Sequence, residues 1–319
     1  MTTITTTHAT PQIVTAGPWS PSFPSVPSVA DEWFVAPAER AIETMPAAMV
    51  EALDALTGGA PQAGALLLRG LPVGELPPTP ASPRQSVAKD HASELVLLAV
   101  ARRLGEPVGY EPEHGGDLVQ NIVPTPGASA RQTSTSSRVE LMFHTEAAFH
   151  PHRPRYLLLL CLRGDPAAAT TLASIHEVLP LLPAASIDVL FEERFRTAVD
   201  ESYLHGRGNL LGAPMAVLTG DRRRPSMVFD ADLMVGTDAE ADAALGVLAH
   251  AVAVHHTGVV LESGDLLVVD NAAAVHGRSP FTPRFDGTDR WLQRTFVVPD
   301  LAPSEDDRRG RVVTTRFGV

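Results

Sequence analysis

The chain has a single cysteine, Cys161. One thiol cannot close an internal disulfide, so nothing in the sequence asks for an oxidising compartment. Cys161 lies in the apolar run Tyr156-Leu157-Leu158-Leu159-Leu160-Cys161-Leu162, which points to a buried core position rather than a reactive thiol. That run is far too short to span a bilayer. Residues 1–7 carry no basic start and no apolar signal segment, so a cytoplasmic protein with no membrane partner is expected. Positive charge is scarce as well: 25 Lys and Arg stand against 37 Asp and Glu, a net charge of −12. Such a chain lacks the electrostatic footprint of a nucleic-acid partner. The cluster Arg222-Arg223-Arg224 reads as a solvated turn. No GxGxxG fingerprint, Walker A loop or GxSxG elbow is present, which leaves nucleotide-cofactor and esterase chemistry without local support.

What the chain does have is length and apolar content. Its 319 residues, 44% of them hydrophobic, suffice for a substantial core. Residues 1–30 are rich in Thr, Pro and Ser and read as an irregular tail, with residues 31–319 as one domain. Apolar spacing predicts helices over 37–56, 86–104 and 239–256, and shorter ones near 175–182 and 187–193. Short strands separated by Gly, Pro and Asp turns are expected over 65–70, 118–123, 139–145, 156–162, 170–174, 196–203, 215–218, 226–229, 259–261, 265–269 and 291–298. The fold class is therefore mostly β with flanking helices, a β-sandwich or jelly roll rather than alternating βα units.

The chemistry centres on His144-Thr145-Glu146 in a predicted strand. Side chains two apart on a strand share a face, so His144 and Glu146 would project together. They are two-thirds of a 2-His-1-carboxylate facial triad, the ligand set that suits non-haem Fe(II). Competing metal readings fail on spacing. The segment His144 to His150 has the wrong order for His-Glu-x-x-His. One cysteine cannot supply the Pro-Cys-x-x-Cys of a zinc deaminase. A third ligand is expected at His276, where the apolar strand ending in Asp270-Asn271 leads through a short connection to His276-Gly277. Beyond it Arg290 and Arg294 stand four apart, on one face if the segment is a strand. Arginine pairs bidentately with carboxylates, so two arginines beside a metal suggest two carboxylates to hold, one on a co-substrate and one on a substrate.

At these residues the chain resembles the clavaminate synthase-like Fe(II)/2-oxoglutarate oxygenases, which include clavaminate synthase, asparagine oxygenase and the arginine β-hydroxylases of antibiotic pathways. The likeness rests on Phe143-His144-Thr145-Glu146-Ala147-Ala148-Phe149-His150, on Asp270-Asn271 before His276, and on the run from Ser279 to Leu292, and it extends over about residues 40–300. The resemblance implies a double-stranded β-helix (jelly-roll) core, with Fe(II) held by His144, Glu146 and His276. It implies 2-oxoglutarate bound by Arg290 with help from Thr171, and the substrate α-carboxylate held by Arg294. It further implies that O2 and 2-oxoglutarate are consumed, giving succinate and CO2, as an unactivated C–H bond is oxidised. Gln120 matches the position from which arginine hydroxylases reach the substrate amino group. Asp230 matches an acid aimed at the substrate side chain, and Asp232 resembles the second acid that clamps a guanidinium. Ser134 could line the same pocket, and its Ser/Thr-rich run 133–137 reads as a mobile lid. His150 and His152 are expected to pack structurally.

The expected function is hydroxylation, at C3, of a free basic amino acid, L-arginine first. Alternatives are lysine, ornithine or asparagine hydroxylation, or clavaminate-type oxidation of a guanidino or β-lactam intermediate. A non-catalytic jelly-roll binding protein would leave Arg290 and Glu146 idle. A halogenase would need a small residue in place of Glu146. The sequence is silent on oligomeric state.

Overall fold

The structure is a computed structural model, and it describes residues 10–21, 32–59, 62–204 and 206–318. The chain opens with β1 (Gln12–Thr15), α1 (Val35–Glu43), α2 (Ala47–Thr57), β2 (Ala65–Arg69) and α3 (Ala92–Leu104). Next come β3 (Glu106–Tyr110), β4 (Gln120–Ile122), β5 (Leu141–His144), β6 (Tyr156–Arg163) and β7 (Ala169–Ser174). The middle of the chain carries α4 (Ile175–Val178), α5 (Ala184–Leu190), β8 (Phe195–Thr197), α6 (Glu201–Leu204), β9 (Leu218–Asp221), β10 (Arg224–Met227), β11 (Met234–Gly236) and α7 (Ala239–Val254). It closes with β12 (Thr257–Val260), β13 (Leu266–Asp270), β14 (Ala274–Arg278), β15 (Trp291–Val298), β16 (Arg308–Arg309) and β17 (Val312–Val313).

Two sheets face each other. The larger runs β1-β2-β13-β6-β15-β3-β17-β16, with β4 paired to β15, and the smaller runs β12-β7-β14-β5. Strand alternation sorts the apolar residues into three layers. Leu66, Leu68, Leu158, Leu160 and Leu266 meet α1–α3 on the outer face of the larger sheet. Leu67, Leu157, Leu159, Cys161 and Leu267 point inward and meet Leu172, Val259 and Ala274 of the smaller sheet. Phe143, Ala173 and Val275 on the outer face of that sheet pack under α4, α5 and α7. Strand β6 is central and covered on both faces, which is why its run is apolar at every position and why Cys161 is fully buried. Burial pushes the Cys161 thiol up to about 12, as an inert core thiol requires.

Several local expectations change, among them the strand expected over 196–203, which ends at Thr197 and is followed by helix α6 over Glu201–Leu204. The tail is not irregular throughout: β1 adds parallel to β2 with Gln12 opposite Leu66, and Ala16 and Trp19 are buried. The rest of that tail, residues 1–9 and 22–30, lies outside the described residues. The helix expected over 37–56 is two helices, because Pro46 caps the second in extended geometry (φ −55°, ψ 137°) and disfavours helical Met45. The helix expected from 86 begins at Ala92. Among the described residues no helix is long and apolar enough to cross a membrane.

Candidate metal centre and its cavity

His144 ends β5 and His276 sits in the middle of β14, and the two are direct cross-strand partners. Directly opposed residues in an antiparallel pair project to the same face. Their rings accordingly meet, with centroids 4.3 Å apart. His276 thus reaches the site from within a strand and not from the connection expected. Glu146 also departs from expectation, since β5 stops at His144 and Glu146 follows in a turn. That turn carries Ala147 at φ +51°, a strained conformation for alanine. It is pinned from outside. Asn271 Oδ1 accepts the Glu146 N–H at 2.8 Å, and Asn271 Nδ2 donates to the Glu146 carbonyl at 3.1 Å and to the Pro154 carbonyl at 2.9 Å. Thr145 N donates to the Phe229 carbonyl at 2.7 Å, while its hydroxyl accepts from Phe229 N at 3.0 Å.

The ligand atoms of His144, Glu146 and His276 all lie within 4.8 Å of one another. His144 Nδ1 is 2.9 Å from the Met142 carbonyl, which can only accept, so Nδ1 carries the proton and Nε2 offers its lone pair. Glu146 Oε2 is buried without a hydrogen bond and stands 3.4 Å from His276 Nε2. Burial pushes the Glu146 carboxyl up, but Arg294, His276 and His144 outweigh it and hold the pKa down at about 2. Burial, and then His144, pull His276 down to about 4. At neutral pH Glu146 is a carboxylate and His276 a neutral imidazole, the protonation states metal ligands need. An orphaned buried carboxylate oxygen between two imidazole lone pairs fits a divalent cation, and two nitrogens with one oxygen on one face fit Fe(II).

The three ligands open onto a cavity of about 690 Å³. Arg290 lines it just before β15, and its recorded hydrogen bond is a long one, 3.5 Å to Thr170 Oγ1. It forms no salt bridge among the described residues although it is only 6% exposed, so it is a buried cation facing the cavity without a carboxylate in contact. Burial pulls its pKa down. A bound carboxylate would relieve that cost. Arg278 lines the same end and holds the Ser/Thr-rich run in place. It donates to the Ser136 carbonyl, to Ser136 Oγ at 3.0 Å and to the Val139 carbonyl at 3.0 Å. Gln132 ties the other side, donating to the Glu140 carbonyl at 2.9 Å and accepting from Met142 N at 3.1 Å. Ser134 lines the cavity, on a run whose flanks are tied by these bonds.

Arg294 also lines the cavity, in contrasting surroundings. It donates to Gln120 Oε1 from Nε at 3.0 Å and from Nη2 at 2.6 Å, to Glu146 Oε1 at 3.3 Å, and to Glu113 Oε1. Glu113 Oε2 accepts from the Tyr203 hydroxyl at 3.1 Å. Burial, and then the Glu113 charge, keep that hydroxyl protonated far above its ordinary range, so Tyr203 is the donor. Gln120 is buried behind Arg294 and does not line the cavity, so it braces the arginine instead of reaching into the space as expected. Thr171 is likewise misplaced by the strand's phase. Thr171 pairs with Gly277 and Thr170 with Arg278, so Thr170 shares the cavity face of His276 and Thr171 turns away.

Asp230 and Asp232 both line the cavity. They occupy a turn: Asp230 bridges His144, and its Oδ1 caps the turn by accepting from Asp232 N at 2.9 Å and Leu233 N at 2.8 Å. Burial raises the Asp230 pKa. Asp200 and Ser202, which no sequence signal marked, line the cavity too. Glu113 was equally unmarked, in a loop after β3. Arg278 could have been found, because it stands two residues from His276 and hence on its face. His150 packs edge-on to Tyr110 at 4.9 Å, away from the cavity.

Two histidines and one carboxylate on a shared cavity between two sheets, with a buried arginine that meets no carboxylate among the described residues, define a mononuclear iron oxygenase site that takes a dicarboxylate co-substrate. The chain belongs to the Taurine catabolism dioxygenase TauD, TfdA family, whose pattern matches residues 44–296. It is 40% identical to an L-lysine 3-hydroxylase of Catenulispora acidiphila, covering 89% of this chain and 81% of that protein. It is 43% identical to an L-asparagine oxygenase of Streptomyces coelicolor, covering 86% and 82%. The solved non-heme iron oxygenase OrfP superposes with a TM-score of 0.81 at 31% identity in its complex with Fe, succinate and (3S)-hydroxy-L-Arg, covering 90% of this chain and 93% of that one. Its complex with Fe and alpha-ketoglutaric acid gives 0.80 at 34% identity, covering 90% and 92%. The protein is an Fe(II)/2-oxoglutarate-dependent dioxygenase with a sheet-rich core and flanking helices.

Proposed function

We propose that the enzyme hydroxylates C3 of a free basic amino acid, L-arginine first, on a double-stranded β-helix core and in specialised metabolism of the antibiotic type. The observation that carries this reading is the position of Asp230 and Asp232. Across the smaller sheet the order is Thr170 on β7, His276 on β14, His144 on β5, then Asp230 beyond the edge. The arginine-rich end and the acidic end therefore lie on opposite sides of the metal ligands. Arg290 with Thr170 takes the distal carboxylate of 2-oxoglutarate. Arg294 takes the α-carboxylate of the amino acid. The free oxygen of Asp230, a buried carboxylate that calls for a cation, and Asp232, exposed on the cavity wall, hold a cationic side chain. Fixing both ends of the amino acid leaves its middle carbons facing His144 and His276.

Bound by His144, Glu146 and His276, Fe(II) supplies the activation of O2 that couples decarboxylation of 2-oxoglutarate to C–H oxidation. The chain's own contribution is positional. The apolar wall of Leu157, Leu159 and Leu292 keeps water from the reacting carbon.

The test is a screen of free amino acids for stimulated succinate formation, with mass spectrometry of the product. L-arginine is expected to gain one oxygen atom. Stimulation by lysine, ornithine or asparagine alone would move the assignment to that substrate. Stimulation that survives Asp230→Asn and Asp232→Asn unchanged would overturn the acidic-end reading.

A further inference from the structure

The bond between Tyr203 and Glu113 has no place in the chemistry just described. Tyr203 belongs to α6 and lies outside the cavity, yet its hydroxyl reaches Glu113, whose other oxygen accepts from Arg294. A side chain needed only to fill apolar space would have no use for that hydroxyl, which phenylalanine lacks. The C-terminal segment grips both partners of this bond. Strand β17 docks parallel on β3, immediately before the loop that carries Glu113, and Arg316 then pairs with Glu111 at 3.2 Å. Phe317 packs edge-on against Tyr203 at 6.3 Å and against Phe149 at 5.0 Å, and its carbonyl accepts from Arg207 at 3.4 Å.

We propose that Tyr203 is a positioning residue for Arg294, acting through Glu113, and that Phe317 of the C-terminal segment holds Tyr203 in place. A side chain beyond the last strand thereby sets how tightly the amino-acid end of the cavity binds, while the Arg290 end is untouched. The inference rests on the assignment of Arg294 to the amino-acid carboxylate.

The test uses the full chain loaded with Fe(II) and 2-oxoglutarate, with L-arginine and L-lysine as probes. Tyr203→Phe strands one oxygen of Glu113. It is expected to raise the amino-acid KM, and the amino-acid concentration that shifts the visible iron–2-oxoglutarate band, by about fivefold to thirtyfold. The 2-oxoglutarate KM stays within about twofold. Phe317→Ala reproduces this split, Phe317→Tyr restores the wild-type value, and the double variant is no worse than the worse single one because both act on one path. An unchanged amino-acid KM in Tyr203→Phe, equal rises in both KM values, or additive effects overturn the proposal. Should the wild type turn over no amino acid, the substrate reading falls by itself. The network is then read from amide exchange without substrate: faster exchange at 200–204 and 111–114 in both variants upholds it, and wild-type exchange overturns it.

Discussion

Arg290 and Arg294 stand four residues apart, both nearly fully buried, both on the wall of one cavity. Arg290 has one long bond to a threonine and no carboxylate in contact, and burial pulls its pKa down. Arg294 has two carboxylates and a carboxamide, and Glu113 and Glu146 outweigh burial to push its pKa up. A buried cation without a partner is costly to the empty protein, and the cost is removed when an anion arrives. A buried cation with a full set of partners belongs to the scaffold first, and a ligand has to share it. The contrast supports the proposal that Arg290 takes the co-substrate, which every turnover requires, and that Arg294 serves as both structural strut and carboxylate receptor.

Replacing each arginine by methionine should separate these roles. Arg294→Met leaves Glu113 and Glu146 as uncompensated buried charges, so the metal-free protein is expected to lose about 3–5 kcal/mol in urea unfolding. Arg290→Met removes a cation that has no carboxylate partner among the described residues, so the same measurement should give unchanged or raised stability. Its effect appears instead in 2-oxoglutarate binding, weakened by about thirtyfold to a few thousandfold when the visible band is titrated. A stable Arg294→Met or an unstable Arg290→Met would break the contrast.

Asn271 offers a smaller test of what holds the ligands themselves. Asn271→Ala removes the clamp on the Glu146 turn while leaving all three ligands in the sequence. Fe(II) affinity is expected to fall by about tenfold to a hundredfold, the usual cost of losing a ligand's supporting partner. Unchanged affinity would mean that β5 alone places Glu146.

The site was legible in the sequence where residue type alone decides. His144, Glu146, His276, Arg290 and Arg294 all reach one cavity because few other side chains serve that chemistry. The route was less legible. Glu146 reaches the site by a strained turn and His276 by its strand register, and both depend on distant partners, Asn271 and His144. Glu113 and Asp200 sit at loop positions that carry no period to read, and the bracing role of Gln120 on β4 comes from its long-range pairing opposite Arg294 on β15. In the fold, the strands with strong apolar runs were legible. The short β1 was not, because its pairing comes from β2 and not from its own residues.

The threonine pair shows the limit most sharply. Thr170 and Thr171 are adjacent and identical, so sequence cannot say which faces the cavity; a strand shifted by one residue exchanges its faces. Register decides it, through Arg278 opposite Thr170 and Gly277 opposite Thr171. Gly277 is needed there, since a Cβ would stand 2.9 Å from Thr171 Oγ1 and 2.4 Å from the Leu141 carbonyl. Thr170→Val should raise the 2-oxoglutarate KM by about threefold to tenfold, the worth of one hydrogen bond beside Arg290. Thr171 Oγ1 is buried with no hydrogen bond, so Thr171→Val should leave that KM unchanged and stabilise the protein slightly. The reverse pattern would show that β7 presents its other face, and with it would fall the placement of Arg290 beside Thr170.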